Sequence, residues 1–289
     1  MFSYDLILNS SVLLTLFAGI LGLLVGSFLN VVIYRLPVMM QRGWTAECQE
    51  FLELPIDEQT ERFDLMLPAS RCPKCDAEIK FYQNIPVLSY LFLKGRCAGC
   101  QCHISIRYPL VELLTGILSA VIAYQLGGEL STAFALLLTW VLVALSGIDF
   151  DHQLLPDNIV LPTLWLGLFL SVFGIFTDPI SSIIGAVAGY LALWCVFHAF
   201  KLLTGKEGMG YGDFKLLALF GAWLGWQYLP LIILLSSLVG AVIGISMMIV
   251  LQRDKNIPIP FGPYLAIAGW IALLWGDEIN NLYLVSVGL

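Results

Sequence analysis

Apolar runs constrain this chain more than any other feature. Stretches able to cross a bilayer occupy residues 12–34, 108–126, 131–148, 159–176, 181–203, 214–226, 229–251 and 257–275, judged against the roughly 20 apolar residues that carry an α-helix through about 30 Å of hydrocarbon. A backbone in lipid must satisfy its own hydrogen bonds, which a helix does within one segment. The expected fold is therefore an all-α polytopic membrane protein with about eight transmembrane helices. The composition agrees: 59% of residues are hydrophobic, 12% are charged and the mean hydropathy is +0.86, which excludes a soluble globular class. A net charge of −7 does not suit a nucleic-acid partner.

No basic region precedes the first stretch, and that stretch has the length of a membrane helix, so it is expected to stay as an anchor. Lys and Arg in short flanks are retained on the cytoplasmic side. With the N-terminus outside and eight crossings, all 14 Lys and Arg fall on one face, nine between Arg35 and Arg107 and five between Lys201 and Lys255. Asp5, Glu129, Asp178, Asp277 and Glu278 fall in the outer loops. The run 214–226 is short for a crossing. A re-entrant path would put Arg253 and Lys255 outside, so a short true crossing is the better reading.

The organisation expected is a first transmembrane helix over 1–34, a cytoplasmic insert over 35–107 and a transmembrane core over 108–289. The first half of the insert is acidic, with Glu47, Glu50, Glu53, Asp57, Glu58, Glu61 and Asp64 interleaved with Phe51, Leu52, Leu54 and Phe63, and reads as a short amphipathic helix or a solvated arm. The second half carries Cys72, Cys75, Cys97 and Cys100 as two CxxC pairs. Two such pairs are the knuckles of a tetrahedral zinc site, and the reducing cytoplasm disfavours two disulfides instead. Cys102 and His103 follow closely and offer a replacement ligand. Four protein ligands close a site against an attacking water, so the zinc is expected to be structural. Cys195 lies in an apolar run and reads as a small core residue, and His198 beside it as a packed, hydrogen-bonded one.

Carboxylates at the edge of a membrane span are costly and mark candidate chemistry. Asp149, Asp151 and Asp157 compete within GIDFDHQLLPDN, and Asp213 stands in GMGYGDFK. Asp157 follows Pro156 and reads first as a helix N-cap. Asp151 is further from its span and more exposed. Asp149 is closest to the apolar end of its helix, near the negative end of the helix dipole, whereas Asp213 opens a helix near a positive end. Paired carboxylates in unlike settings are what acid and base roles require. Gly208, Gly210 and Gly212 allow another backbone to come close, as an extended peptide would. Helix capping by Asp213 is the competing reading. On these features alone a membrane enzyme, a transporter using intramembrane acids, and a non-catalytic assembly scaffold all remain open.

Five blocks carry a resemblance: GSFLNVVIYRLP at 26–37, RCPKC with FYQNIPVLSYLFLKGRCAGC over 71–100, IDFDHQLLPD at 148–157, GMGYGDFK at 208–215 and PIPFGPY ending at 264. In this order, over almost the whole chain, they are similar to the bacterial type IV prepilin peptidase / N-methyltransferase family. The resemblance implies a GxGD membrane aspartyl peptidase with Asp149 and Asp213 as catalytic acids. Its implied substrates are prepilins and pseudopilins, cut after a glycine on the cytoplasmic face of the inner membrane, in service of a pilus or a type II secretion machinery. It also implies N-methylation of the new terminus from S-adenosylmethionine. No glycine fingerprint of a Rossmann fold appears, so that second activity rests on resemblance, with Gly95 in LKGRC either a turn near the zinc or part of the donor's site.

Overall fold

The structure, a computed structural model, describes residues 11–55, 62–250 and 260–287. The remaining residues, which include Asp5, Asp57, Glu58, Glu61, Arg253 and Lys255, lie outside the described part. Among the described residues every regular element is helical apart from two isolated β-bridges. The chain divides into two units, Met1–Gly128 and Glu129–Leu289.

In the first unit, α1 spans Ser11–Phe51, the short α2 Leu88–Phe92 and α3 Arg107–Leu126. At about 1.5 Å per residue the 41 residues of α1 run far beyond the hydrocarbon thickness. The helix does not stop near Tyr34 but passes through Pro37, and the helix expected in the acidic arm is its continuation. From Gln41 onward that extension is mostly exposed, and Phe51, Leu52 and Leu54 are exposed with it. α1 and α3 pack through small residues: a methyl group at Gly26 would lie 2.8 Å from the Cα of Glu112, so only glycine permits this approach. Asn30 donates from Nδ2 to the Tyr108 carbonyl at 3.1 Å. Glu112, buried in α3, accepts the Val87 N–H at 2.8 Å and holds the start of α2.

Arg35 anchors the insert to α1. It is buried, donating from one terminal nitrogen to the Asp64 carbonyl at 2.9 Å and from the other to the Pro68 carbonyl at 2.6 Å. The ring of Phe63 lies 4.3 Å from the Arg42 guanidinium and 5.6 Å from that of Arg35.

The second unit comprises α4 Leu130–His152, α5 Asp157–Val172, α6 Pro179–Thr204, α7 Tyr211–Leu224, α8 Leu229–Val250 and α9 Gly262–Val287. Its core is the shortest of these, α7, where nearly every residue from Asp213 to Leu224 is buried. A 14-residue helix apolar on all sides must be enclosed by neighbours, and α5, α6, α8 and α9 all pack on it. Trp223 donates from Nε1 to the Thr163 carbonyl on α5 at 2.8 Å, and the Ser182 hydroxyl on α6 donates to the Ala222 carbonyl at 2.6 Å. Asp178 caps α6 by accepting the N–H groups of Ile180 and Ser181, each at 3.0 Å.

Among the described residues, five helical segments are long and apolar enough to cross a membrane: α1, α3, α4, α6 and Trp226–Ser246, which includes most of α8. The chain is thus an all-helical, multi-pass membrane protein. α5 is a shorter apolar helix, so the count of eight crossings goes beyond what length and apolarity alone give.

Candidate active site and metal centre

Asp149 lies in the last turn of α4, and Gln153 ends that helix in a left-handed conformation by donating its N–H to the Asp149 carbonyl at 2.9 Å. The Asp149 side chain turns inward and is 5% exposed. Its Oδ2 accepts the N–H of Gly262, the first residue of α9, at 3.0 Å. Sequence reasoning set Asp149 against the negative end of its own helix; the fold adds the positive end of a second one.

Asp213 occupies the first turn of α7 and is 7% exposed, its carboxyl reaching back toward the N–H of Gly210, the cap residue. The Asp149 charge acts on it across the site. One residue connects the three segments that meet here. A Cβ at Gly212 would come 2.8 Å from the Leu155 Cβ, and one at Gly262 would come 3.2 Å from Leu155 Cδ2 and 2.7 Å from Asp149 Oδ2. The buried Leu155 therefore wedges the α4–α5 connection between the starts of α7 and α9. Both glycines are needed for close approach.

The other acids separate. Asp151 is exposed at the end of α4. Asp157 does not cap α5: Pro156 is the cap residue, its extended backbone leading into the helix, and Asp157 is the first helical residue. Both carboxylate oxygens of Asp157 instead accept from Lys215 Nζ at 2.7 Å, an ion pair of half-exposed groups beside Asp213. Lys215, Leu155 and Gly262 were missed from the sequence as parts of this site. A lysine two residues beyond Asp213 and a glycine between Phe261 and Pro263 were the available signals. Two buried carboxylates within electrostatic reach can share one proton and exchange acid and base roles, the arrangement of aspartic hydrolysis.

The thiols of the insert converge. Cys72, Cys97, Cys100 and Cys102 have Sγ atoms within 4.8 Å of one another, and the Cys75 Sγ lies 3.9 Å from that of Cys97. Cys72 Sγ is 3.8 Å from Cys100 and 3.6 Å from Cys102. A tetrahedron of Zn–S bonds of about 2.3 Å has S···S edges of about 3.8 Å, so these thiols fit one metal ion. His103 is exposed and stands outside the cluster. The N–H groups of Lys74 and Cys75 draw the Cys72 thiol down to about 6. At Cys75 the Ala77 N–H acts downward, but the thiols of Cys100 and Cys72 push it up to about 11. Cys100 and Cys72 push Cys102 up to about 12.

Gly95 forms a turn of positive φ before the second knuckle, its N–H donating to the Tyr90 carbonyl at 2.9 Å. Cys195 is not a core residue; it is exposed on α6. His198 on the same helix bonds through Nδ1 to the Trp194 carbonyl at 3.0 Å and stacks on the Trp194 ring.

Residues 20–126 match the Bacterial Peptidase A24 N-terminal domain, and residues 136–245 match the Type IV leader peptidase family. A "Prepilin leader peptidase/N-methyltransferase" from Stutzerimonas stutzeri is 60% identical over 267 residues, 92% of each chain. The chain belongs to the prepilin leader peptidase/N-methyltransferase family. Members of that name from Pseudomonas aeruginosa (58% identical over 93% of each chain) and Neisseria gonorrhoeae (52% identical over 91% of each) are also similar to it. No solved structure matches the chain. In this prepilin peptidase family member the thiol cluster lies within the A24 N-terminal match, and Asp149 and Asp213 lie within the leader peptidase match. Gly262, which bonds Asp149, lies beyond the latter.

Proposed function

We propose that this protein is a membrane aspartyl endopeptidase that removes the leader of prepilins and pseudopilins, with Asp149 and Asp213 as its two catalytic carboxylates. The observation that carries this reading is the burial of both acids at helix ends that Leu155, Gly212 and Gly262 bring together. One carboxylate takes a proton from a water as its oxygen bonds to the scissile carbonyl carbon, and the other gives its proton to the carbonyl oxygen. Collapse of the tetrahedral intermediate breaks the C–N bond, and the departing amine takes up a proton. The Gly262 N–H holds Asp149 in place from the α9 start. An extended substrate backbone runs beside Gly208 to Gly212, where side chains are absent at alternate positions.

The leader is cut after a glycine on the cytoplasmic face. Eight crossings with both termini outside place the insert and both aspartates on that face of the bacterial inner membrane, where pilus or type II secretion machinery would receive the product. Zinc is the metal proposed for the thiol cluster, in a structural role, with Cys72, Cys75, Cys97 and Cys100 as the knuckle ligands and Cys102 beside them. The freed terminal amine is then N-methylated, S-adenosylmethionine supplying the electrophilic methyl group when bound. The first unit is where we place that step, and Gly95 serves it by holding the turn between Tyr90 and Ile104. The transporter and scaffold readings gain no support from the relatives, which carry the peptidase name.

The test is mass spectrometry of a synthetic prepilin incubated with the purified, detergent-solubilised protein, with and without S-adenosylmethionine. Wild type should cut after the leader glycine and add one methyl group only with the donor, whereas Asp149→Asn and Asp213→Asn should not cut. Normal cleavage by either variant would remove that residue from the site.

A further inference from the structure

The two cysteine knuckles are copies of one turn. Residues 70–79 and 95–104 read SRCPKCDAEI and GRCAGCQCHI. In the first, Cys72 N–H donates to the Ala77 carbonyl at 2.9 Å, Asp76 N–H to the Cys72 carbonyl at 2.9 Å and Ile79 N–H to the Ser70 carbonyl at 2.8 Å. In the second, Cys97 N–H donates to Cys102 at 2.9 Å, Gln101 to Cys97 at 3.0 Å and Ile104 to Gly95 at 2.8 Å. Asp76 and Gln101 both adopt positive φ, and each turn closes on one bridge, Arg71 to Glu78 and Arg96 to His103. Cys102 therefore occupies the place that Ala77 fills in the first knuckle.

The repeat alone gives four ligands, two from each knuckle. The second knuckle brings a fifth thiol where the first has a methyl group, and that thiol points into the cluster, 3.6 Å from the buried Cys72. Cys72, Cys97, Cys100 and Cys102 form one tetrad, with all four Sγ atoms within 4.8 Å of one another, and Cys75, the remaining cysteine of the two knuckles, stands at its edge, 3.9 Å from Cys97. A tetrahedral ion takes four thiolates.

We infer that the cluster holds one cysteine more than its metal needs, and that Cys75 and Cys102 are interchangeable as the fourth ligand. The inference rests on the zinc reading of the cluster. The site keeps its metal when either corner is lost, and the thiol not engaged at a given moment is open to reaction, the more so as Cys75 is exposed. Cys72 has no such substitute, because it is buried and its Sγ lies against those of both Cys100 and Cys102.

The test measures zinc per chain on the purified full-length protein and on Cys75→Ser, Cys102→Ser, the double variant and Cys72→Ser. Alkylation by N-ethylmaleimide is mapped by peptide mass spectrometry on the zinc-loaded wild type. Wild type and both single variants should keep zinc, and the double variant and Cys72→Ser should lose it. In the wild type, Cys75 and Cys102 should together take up about one maleimide while zinc is retained, as expected of a four-coordinate site with five thiols, and Cys72 should be protected. Zinc present in wild type but lost from either single variant overturns the inference and leaves the metal reading standing. A wild type that binds no zinc overturns both.

Discussion

Gly262 donates its backbone N–H to Oδ2 of Asp149 across 113 positions of sequence, at 3.0 Å and out of contact with solvent. The same glycine leaves no room for a side chain, since a Cβ there would stand 2.7 Å from the oxygen it bonds. Gly262→Ala must displace the Asp149 carboxylate or the start of α9. Because a charged acceptor is lost from a buried bond, at about 1–3 kcal/mol, the expected result is a roughly 10- to 100-fold fall in kcat for leader cleavage, with the helical circular dichroism signal retained. Kinetics on a synthetic prepilin check it; wild-type kcat would show that the bond does not position Asp149.

Asp157 and Lys215 adjoin the two aspartates without joining them. Their ion pair is half-exposed, and such pairs are worth about 0.2–1 kcal/mol. Asp157→Asn and Lys215→Met should each lower cleavage by about two- to fivefold on that scale, and the exchange Asp157→Lys with Lys215→Asp should restore part of the loss. Asp213→Asn should abolish cleavage. A collapse as deep in Asp157→Asn would give Asp157 a direct part in the chemistry.

The sequence made the helical class and both buried aspartates legible, because apolar run length and a carboxylate at a span edge are local signals. It also exposed the thiol knuckles, whose ligands come within a short stretch of chain. What stayed hidden depends on contacts between distant segments. Nothing local tells that Gly262 meets Asp149, that Leu155 fills the gap two glycines leave, or that Asp157 turns from its own helix end to Lys215. The length of the first apolar run misled in the other direction. That run ends at residue 34, yet α1 continues through Pro37 to Phe51. The short run 214–226 looked the weakest span because length was the only measure available, whereas burial on all sides makes it the core of the second unit.

Arg35 holds the 64–68 turn through two carbonyls, and Asp64 shapes the same turn by accepting the N–H groups of Met66 and Leu67, each at 2.7 Å. Those bonds, that of Leu67 first, hold the Asp64 carboxyl below the usual range, with Arg62 adding to them. A folded value below the unfolded one means that the contribution is present above the unfolded value, near pH 4, and is lost as pH falls through the folded one. Acidification below about pH 4 should therefore loosen the turn before the membrane helices respond. Arg35→Met should do so at neutral pH, because it leaves two carbonyls without their donor. Limited proteolysis read by mass spectrometry checks both; a cut rate between 62 and 68 that neither acid nor the variant changes would remove Arg35 as the anchor.

Metal removal gives the sharpest test of what the thiol cluster contributes. The insert from 62 to 106 has only short helical turns and two isolated bridges, and most of its residues are exposed. With so little apolar burial, crosslinking of its two knuckles by an ion is the main source of order. Chelation, or Cys72→Ser, should raise the proteolysis rate of 62–106 by about tenfold or more, as local unfolding without metal predicts. The helices of the second unit rest on their own buried core around α7 and should stay protected. Equal protease sensitivity of the insert with and without chelator would mean that the thiols are packed together without a metal, and the structural zinc would have to be given up.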